Sequence, residues 1–528
     1  MRRFLTAAEA NAIDRYTIET IGVPSVVLME RAALAVAEAC VDLVDAMHGG
    51  IPMKKKILCV CGTGNNGADG VAVARILNLR GYQAEILYVG NEERSTEEFR
   101  LQLKVARNLQ IPVCKANEPT EYIKEGEYAL IVDALFGVGL TRPVEGLYAE
   151  LIGQMNRSGA KLVAVDLPSG VSADDGKIMG CAVKATVTVT FGEEKLGMIL
   201  YPGTEYCGKC VIAEIGLAEE QYETTEKCAK RPAFTYDRED LKRLPARPAY
   251  SNKGTFGRVL VIAGSPNMGG AALFAGMAAY RMGAGLVEIA TAKENRVFLQ
   301  EALPEAILTI YDNALDPKEW LISAMGRAKA IIMGPGLGTE GNGEEILAVL
   351  LKHAQVPLVI DADGLNLLAC SEELMHLLAE RRQQGNCLAG REGIGEKFPV
   401  IVTPHLGEMS RLAGKSVKEI RSTLIATAKE YSQKTGTICA MKDARTIVAS
   451  PDGRIYVNTS GNCGMATGGS GDLLTGIIAA LLAEGTDAFE SASLGVYLHG
   501  LYGDKARERY GERTMIASDL AKIIGETE

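Results

Sequence analysis

Short apolar runs rich in valine, isoleucine and leucine recur along the chain, each followed by a longer stretch in which apolar residues return at helical spacing. In the first half they fall at residues 57–61, 85–89, 130–133, 162–166 and 187–191. Runs this brief and this uniformly apolar predict strands buried on both faces, and the helical periods between them predict the covering layers. The expected architecture is a parallel sheet flanked by helices. A first helix is predicted from Thr6, because Thr6-Ala7-Ala8-Glu9 has the spacing of a capping box, in which hydroxyl and carboxylate each satisfy a backbone donor left unpaired in the first turn.

The pattern lapses between residues 218 and 248, where Glu219, Glu220, Glu223, Pro232, Pro245 and Pro248 mark a polar connection, and a domain boundary is expected near residue 230. Apolar runs then resume at 259–263, 287–290, 330–333, 358–361, 400–403 and 437–441. Two α/β domains are expected, at 1–225 and 235–528, each with three α/β/α layers. No repeat relates them, so they read as a fusion. The segment 381–397, with Gln383-Gln384-Gly385-Asn386 and Gly390-Arg391-Glu392-Gly393, reads as a surface loop.

Composition narrows the function. The 528 residues exceed the roughly 250–300 at which one core stops growing, consistent with two domains. With 47% hydrophobic and 23% charged residues the chain can bury sizeable cores. A net charge of -10, without a basic run, argues against nucleic-acid binding. The 12 cysteines are scattered rather than framed, which points to reduced thiols and a cytoplasmic location. Glu9 and Asp14 interrupt any leader-like stretch, and the longest apolar run, near 473–483, is shorter than the ~18 residues of a membrane span. The 58 glycines exceed the average of about 7% and concentrate in a few loops, where the chemistry is to be sought.

The first such loop, Gly62-Thr63-Gly64-Asn65-Asn66-Gly67-Ala68-Asp69-Gly70, follows a predicted strand and precedes a helix expected over 71–79. Glycines there permit a tight turn and let a pyrophosphate reach backbone N–H groups at a helix N-terminus. Two more loops follow later strands: Asp133 to Pro143, with Gly137-Val138-Gly139-Leu140-Thr141-Arg142-Pro143, and Asp166-Leu167-Pro168-Ser169-Gly170. Convergence of Asp133, Asp166, Ser169 and Asn66 would make an oxygen-rich cluster suited to a hard cation or to acid/base work.

These three loops, in this order, resemble the NAD(P)H-hydrate epimerase family, whose patterns are N-N-G-G-D-G, D-x-x-x-G-x-G-x-x-R and D-x-P-S-G. The resemblance implies a Rossmann-like domain that interconverts the R and S hydrates NADHX and NADPHX. It implies potassium held by Asn66, Asp133 and Ser169. It further implies dinucleotide contacts from Asn65, Asn66, Gly67, Ala68 and Asp69, from Gly137, Val138, Gly139, Leu140, Thr141, Arg142 and Pro143, and from Asp166, the candidate acid/base. Ala68 stands where the family usually has glycine.

In the second half, Gly334-Pro335-Gly336-Leu337-Gly338, Asp361-Ala362-Asp363-Gly364-Leu365-Asn366 and Thr403-Pro404-His405-Leu406-Gly407-Glu408 close predicted strands with glycines and polar groups. The strongest local signal is Asn462-Cys463-Gly464-Met465-Ala466-Thr467-Gly468-Gly469-Ser470-Gly471-Asp472, which opens a helix expected over 473–482. Its glycines and helix N-terminus make an anion hole for a phosphoryl group, and the Asp472 carboxylate is placed to take a proton from an attacking hydroxyl. No G-x-x-x-x-G-K-[ST] loop occurs.

This half resembles the ribokinase-like superfamily, and within it the NAD(P)H-hydrate dehydratases, also through Lys253-Gly254-Thr255-Phe256-Gly257-Arg258-Val259. The resemblance implies nucleotide-driven removal of water from the S hydrate, with Asp472 as base and Mg2+ accompanying ADP or ATP. Gly338, His405, Leu406, Gly407, Glu408, Met409, Ser410, Arg411 and Asp472 would meet the hydrate. Lys442, Asp443, Ala444, Arg445 and Thr446 would meet the nucleotide, as would Asn462, Cys463, Gly464, Met465, Ala466, Thr467, Gly468, Gly469, Ser470 and Gly471. A homo-oligomer is implied as well, with no nucleic-acid or membrane partner. A ribokinase-type small-molecule kinase with a Rossmann-like regulatory domain is the alternative enzyme, and a degenerate binding module the non-enzymatic one. Cys207 and Cys210 read as two thiols at a hairpin, and His48, His353, His376 and His499 have no motif around them.

Overall fold

The computed structural model describes residues 1–48, 56–218, 232–311, 317–389 and 398–526. The chain divides into two compact units, residues 2–233 and 234–528, the second joined by Met1. Both are built on a mainly parallel sheet between helical layers.

The N-terminal unit has a seven-stranded parallel sheet in the order Val113–Ala116, Ala84–Val89, Lys56–Cys61, Tyr128–Ala134, Lys161–Val165, Val187–Phe191, Lys209–Ala213. From Lys56–Cys61 the chain adds strands outward on one side, then returns to lay Tyr128–Ala134 on the other. The crevice between those two strands is where a doubly wound sheet accommodates ligands. The central strands are apolar on both faces because a core lies on each side, one gathered around Val71, Leu77 and Phe99, the other around Leu151, Ile152 and Met155. Thr6 caps the helix Ala7–Arg15 with the reciprocal Glu9 hydrogen bonds of a capping box, as its spacing predicts.

The C-terminal unit repeats the scheme without repeating the sequence. Its order is Ile307–Tyr311, Leu286–Ala292, Arg258–Ile262, Ala330–Met333, Leu358–Ile360, Val400–Val402, Ile438–Met441, Ile447–Ala449, Ile455–Val457, Ala233–Thr235. The first seven strands are parallel, Ile447–Ala449 and Ile455–Val457 pair antiparallel, and the switch point lies between Arg258–Ile262 and Ala330–Met333. The helix Ser470–Ala483 is buried from Leu473 to Ala483, so it shows no polar face. It packs on the helix Gly269–Arg281 so closely that a Cβ on Gly476 would lie 2.3 Å from Ala275 O.

Several expectations need correction. The helix after the first glycine loop begins at Asn65, not at residue 71, because Asn65, Asn66 and Asp69 form its first turns. The segment expected to loop from Arg381 instead continues the helix Glu372–Ala389, since Arg381 is buried and donates to Ala354 O and Val356 O; residues 390–397 lie outside the described residues. Cys207 ends the short helix Thr204–Cys207 and Cys210 lies in the strand Lys209–Ala213, with Gly208 at φ +59° between them, so there is no hairpin there. The polar connection already contains the strand Ala233–Thr235 and the 3₁₀ helix Arg238–Arg243. Among the described residues no helix is long and apolar enough to cross a membrane.

Trp320, the single tryptophan, lies in the C-terminal unit and reports its unfolding. Gly476→Ala is expected to destabilise that unit by about 1–3 kcal/mol, because an added methyl must force two backbones apart. Denaturant titration followed by tryptophan fluorescence measures it, and an unchanged midpoint would contradict the packing described.

Candidate active sites

In the N-terminal unit a cavity of about 600 Å³ opens over the switch point. The tight turn that makes it depends on missing side chains. A Cβ on Gly67 would lie 1.9 Å from Gly62 O, and one on Gly62 would lie 2.3 Å from Leu135 O. Gly64, by contrast, faces open space and lines the cavity, so a ligand can approach its backbone.

Asn65, Asn66, Asp69, Asp166 and every residue from Gly137 to Arg142 line this cavity. Gly67 and Ala68 do not; both are buried, and the Ala68 methyl joins the hydrophobic core, which accounts for an alanine being tolerated there. Pro143 is not part of the lining, and Asp133 and Ser169 are buried at 0% and 1% exposure. Ser169 Oγ donates to Asp133 Oδ1 at 2.6 Å and Ser169 N to Asp133 Oδ2 at 2.8 Å. Burial pushes the Asp133 carboxyl up to about 6. The Asn66 Nδ2 group is buried without a hydrogen-bond partner among the described residues.

Asp166 follows the strand Lys161–Val165 with φ +66°, a left-handed conformation costing a non-glycine residue on the order of 1–3 kcal/mol and characteristic of functional positions. Its Oδ1 accepts from Lys195 Nζ at 2.5 Å and from Thr190 Oγ1 at 3.0 Å. Sequence patterns gave no hint of Lys195, which lies in no glycine loop. Asp69 stands in the same cavity, and burial, then the charges of Asp166 and Asp14, hold its carboxyl well above the usual range.

In the C-terminal unit the glycine loop is fixed from outside. Asp504 accepts from Gly461 N at 2.9 Å and Asn462 Nδ2 at 3.0 Å, Asn462 Oδ1 accepts from Gly464 N, and Gly469 turns the chain at φ +92° into the helix Ser470–Ala483. A Cβ on Gly471 would lie 3.3 Å from Lys442 Nζ. Lys442 is ion-paired with buried Asp361 at 2.7 Å. Asp472 is thereby placed beside Lys442 and Asp361. Burial, reinforced by the Asp361 charge and opposed by Lys442, raises its carboxyl to about 7.

Gly338 N donates to Asp363 Oδ2 at 2.8 Å, and Arg411 Nε reaches Asn366 Oδ1 at 3.0 Å, bringing those two loops to one place. His405 Nδ1 accepts from Gly407 N and Glu408 N as the N-cap of the helix Leu406–Ala413. Burial, Lys442 and Arg411 lower its proton affinity. Leu406 and Met409 are buried, and Ser410 Oγ bonds Lys415 O. Arg445 Nη1 donates to Thr459 O, and Thr446 Oγ1 lies against Asp443 O, while Ala444 lies between them in the turn. Cys463 and Met465 belong to the single 3₁₀ turn after Asn462, leading through Ala466, Thr467 and Gly468 to Gly469.

A family model described as NAD(P)H-hydrate dehydratase matches residues 259–526, and one described as YjeF-related protein N-terminus matches residues 25–197. A bifunctional NAD(P)H-hydrate repair enzyme of Moorella thermoacetica is 35% identical over 98% of this chain and 95% of its own length. The chain belongs to the bifunctional NAD(P)H-hydrate repair enzyme family. The family member of that name from Escherichia coli is 32% identical over 97% of this chain and 91% of its own. A solved ADP/ATP-dependent NAD(P)H-hydrate dehydratase from Bacillus subtilis, co-crystallised with ATP and Mg2+, is 30% identical and covers 56% of this chain and 97% of its own, with a TM-score of 0.47.

In this repair-enzyme chain His499 is the residue whose setting the sequence concealed. It sits in the helix Ala488–Tyr510, is buried, and its Nε2 lies 3.2 Å from the Ser470 Oγ that starts the Asp472 helix. Burial lowers its pKa to about 4. An unfolded chain protonates this imidazole near pH 6.5, so the stability it confers is intact above that pH and is lost as pH falls toward 4. The expected loss for the C-terminal unit is up to about 3 kcal/mol, and His499→Gln is expected to flatten this part of the profile. Denaturant unfolding followed at Trp320 across this range measures both.

Proposed function

We propose that the N-terminal unit interconverts the R and S forms of NADHX and NADPHX and that the C-terminal unit dehydrates the S form to NADH or NADPH at the expense of ADP or ATP. The observation that carries the reading is the pair of carboxylates, Asp166 at a strand end in the cavity of its unit and Asp472 in the first turn of the helix that the glycine loop opens, each beside a glycine turn that leaves room for phosphate groups. A stereospecific dehydratase alone would strand the R form, which gives the fusion its chemical sense.

In the dehydratase, Asp472 takes the proton of the hydrate hydroxyl as that oxygen attacks the terminal phosphorus of the nucleotide. The glycine-loop N–H groups receive the charge that develops on the transferred group. Phosphate is a better leaving group than hydroxide, so the lone pair of the adjacent ring nitrogen expels it, and loss of a proton from the neighbouring carbon restores the ring double bond. His405 spends Nδ1 on its own helix and its Nε2 lies 3.3 Å from Glu408 Oε1, whereas Asp472 stands at the glycine loop and takes the base role. The Asp363 carboxylate beside Gly338 offers the hard oxygen chemistry that fits Mg2+ entering with the nucleotide, whose charge would neutralise phosphate.

In the epimerase unit the donor set fits potassium. The buried Asp133 carboxylate has no cationic side chain paired with it among the described residues, and the Ser169 hydroxyl and the amide oxygen of Asn66 would complete an oxygen-bearing set. A monovalent cation held by these three residues would balance the Asp133 charge below the dinucleotide loop. The reading also takes the enzyme to be a cytoplasmic homo-oligomer, with Asn65, Asp69, Gly137 to Arg142 and Asp166 meeting the hydrate in the cavity they line.

Asp472→Asn is expected to lower NADH formation from the S hydrate by about 10²–10⁴-fold while sparing R/S interconversion, and Asp166→Asn the reverse. Because the base must be unprotonated, kcat/KM for dehydration is expected to rise with pH through about 7. Recovery of NADH absorbance with ADP and with ATP, set beside chromatographic R-to-S equilibration without nucleotide, measures these outcomes. A stable phosphorylated product without NADH would sink the dehydratase reading.

A further inference from the structure

The cavity of the N-terminal unit contains a lysine whose hydrogen bonds are all spent on one carboxylate and its surroundings. Lys195 lies beyond the strand Val187–Phe191 and a turn at Gly192, and its side chain is 3% exposed. An ammonium group has three protons. Here Nζ donates to Asp166 Oδ1 at 2.5 Å, to Thr190 Oγ1 at 2.9 Å and to Phe191 O at 3.0 Å. It has none left for a ligand.

The same asymmetry appears on Asp166. Thr190 Oγ1 at 3.0 Å and Phe191 N at 3.3 Å donate to Oδ1 as well, so that oxygen accepts three hydrogen bonds, one from a cation. Oδ2 receives no hydrogen bond from a described residue, and Asp166 lines the cavity. The left-handed backbone at Asp166 fixes the direction in which the carboxylate leaves the strand end. Two further carboxylates act on it electrostatically, Asp69 from the helix Asn65–Leu79 and Asp14 from the helix Ala7–Arg15. Lys195 is the cation hydrogen-bonded to the Asp166 carboxylate, and Asp69 and Asp14 are like-charged neighbours of it.

We propose that Lys195 is a positioning residue of the epimerase, which anchors Asp166 through Oδ1 so that Oδ2 alone exchanges the proton with the hydroxyl of the hydrate. The inference rests on the epimerase reading of this unit. In the hydrate the hydroxyl is borne by the carbon bonded to the ring nitrogen. Oδ2 takes the hydroxyl proton, the O–H electron pair becomes the second bond of a carbonyl, and the carbon–nitrogen bond breaks with its pair going to nitrogen, which takes a proton from water. Rotation about the adjacent carbon–carbon bond presents the other face of the carbonyl. Nitrogen returns its proton to water and attacks, and Oδ2 gives its proton back to oxygen. The ring closes with inverted configuration, and nothing is oxidised or reduced.

The test uses the full chain, purified R hydrate and no nucleotide, so that only interconversion is read. Lys195→Met is expected to lower kcat about 10²-fold with little change in KM, to move the acidic limb of the kcat/KM profile to higher pH, and to add nothing in an Asp166→Asn background. Wild-type kcat in Lys195→Met, a loss confined to KM, or a loss additive with Asp166→Asn and an unmoved pH profile overturns the proposal. If the unaltered chain itself fails to interconvert the hydrates, the epimerase reading falls and takes this inference with it. Should circular dichroism show that Lys195→Met does not fold, Thr190→Val removes one donor to Oδ1 and decides the matter. A lowered kcat with a shifted acidic limb supports the role, and an unchanged profile overturns it.

Discussion

Both units depend on backbone contacts too close to admit a side chain. At Gly67 the start of a helix lies on the carbonyl of Gly62, and at Gly334 the chain passes the carbonyl of Asp361 with 2.1 Å to a hypothetical Cβ. These contacts draw the loops over the point where the order of strands reverses. That closeness sets helix N-termini, with their unpaired N–H groups, within reach of strand-end carboxylates. A bulkier backbone neighbour would push helix and strand apart and dissolve the site without touching a reacting group.

Each site then has to manage buried negative charge, and each does so with one lysine. Lys195 binds Asp166 directly, whereas Lys442 binds Asp361, a neighbour of Asp472. The placement has opposite consequences. Asp166 is tied at one oxygen by a cation, while Asp472 has no ion pair among the described residues and takes on the effect of burial, which brings its proton affinity to the neutral range. Removing either lysine leaves an uncompensated buried charge, a more serious loss than the ion pair alone suggests.

Much of this was legible in the sequence where chemistry and local pattern coincide. The central strands are apolar on both sides, and Thr6 with Glu9 announces its helix at a spacing of three residues. The glycine loops name themselves because only glycine tolerates their contacts. Edge strands such as Val113–Ala116 and Ile307–Tyr311 were not legible, since one side of each meets partial solvent and no apolar run survives. Asn65, Asn66 and Asp69 read as loop because their polarity belongs to a ligand site, and tertiary contact at Gly67 makes them helical. Lys195 and His499 act through residues distant in sequence, 29 positions away in each case, and nothing local marks them.

The helix that carries Asp472 has a consequence for how this enzyme can vary. Its residues from Leu473 to Ala483 are buried, and the Asp472 carboxylate stands in its first turn, at the glycine loop. A side chain altered deep along that helix transmits its displacement along a stiff rod to Asp472. An inherited change in that interior therefore bears on the placement of Asp472 as well as on the packing, so the carboxylate and the core vary under one constraint.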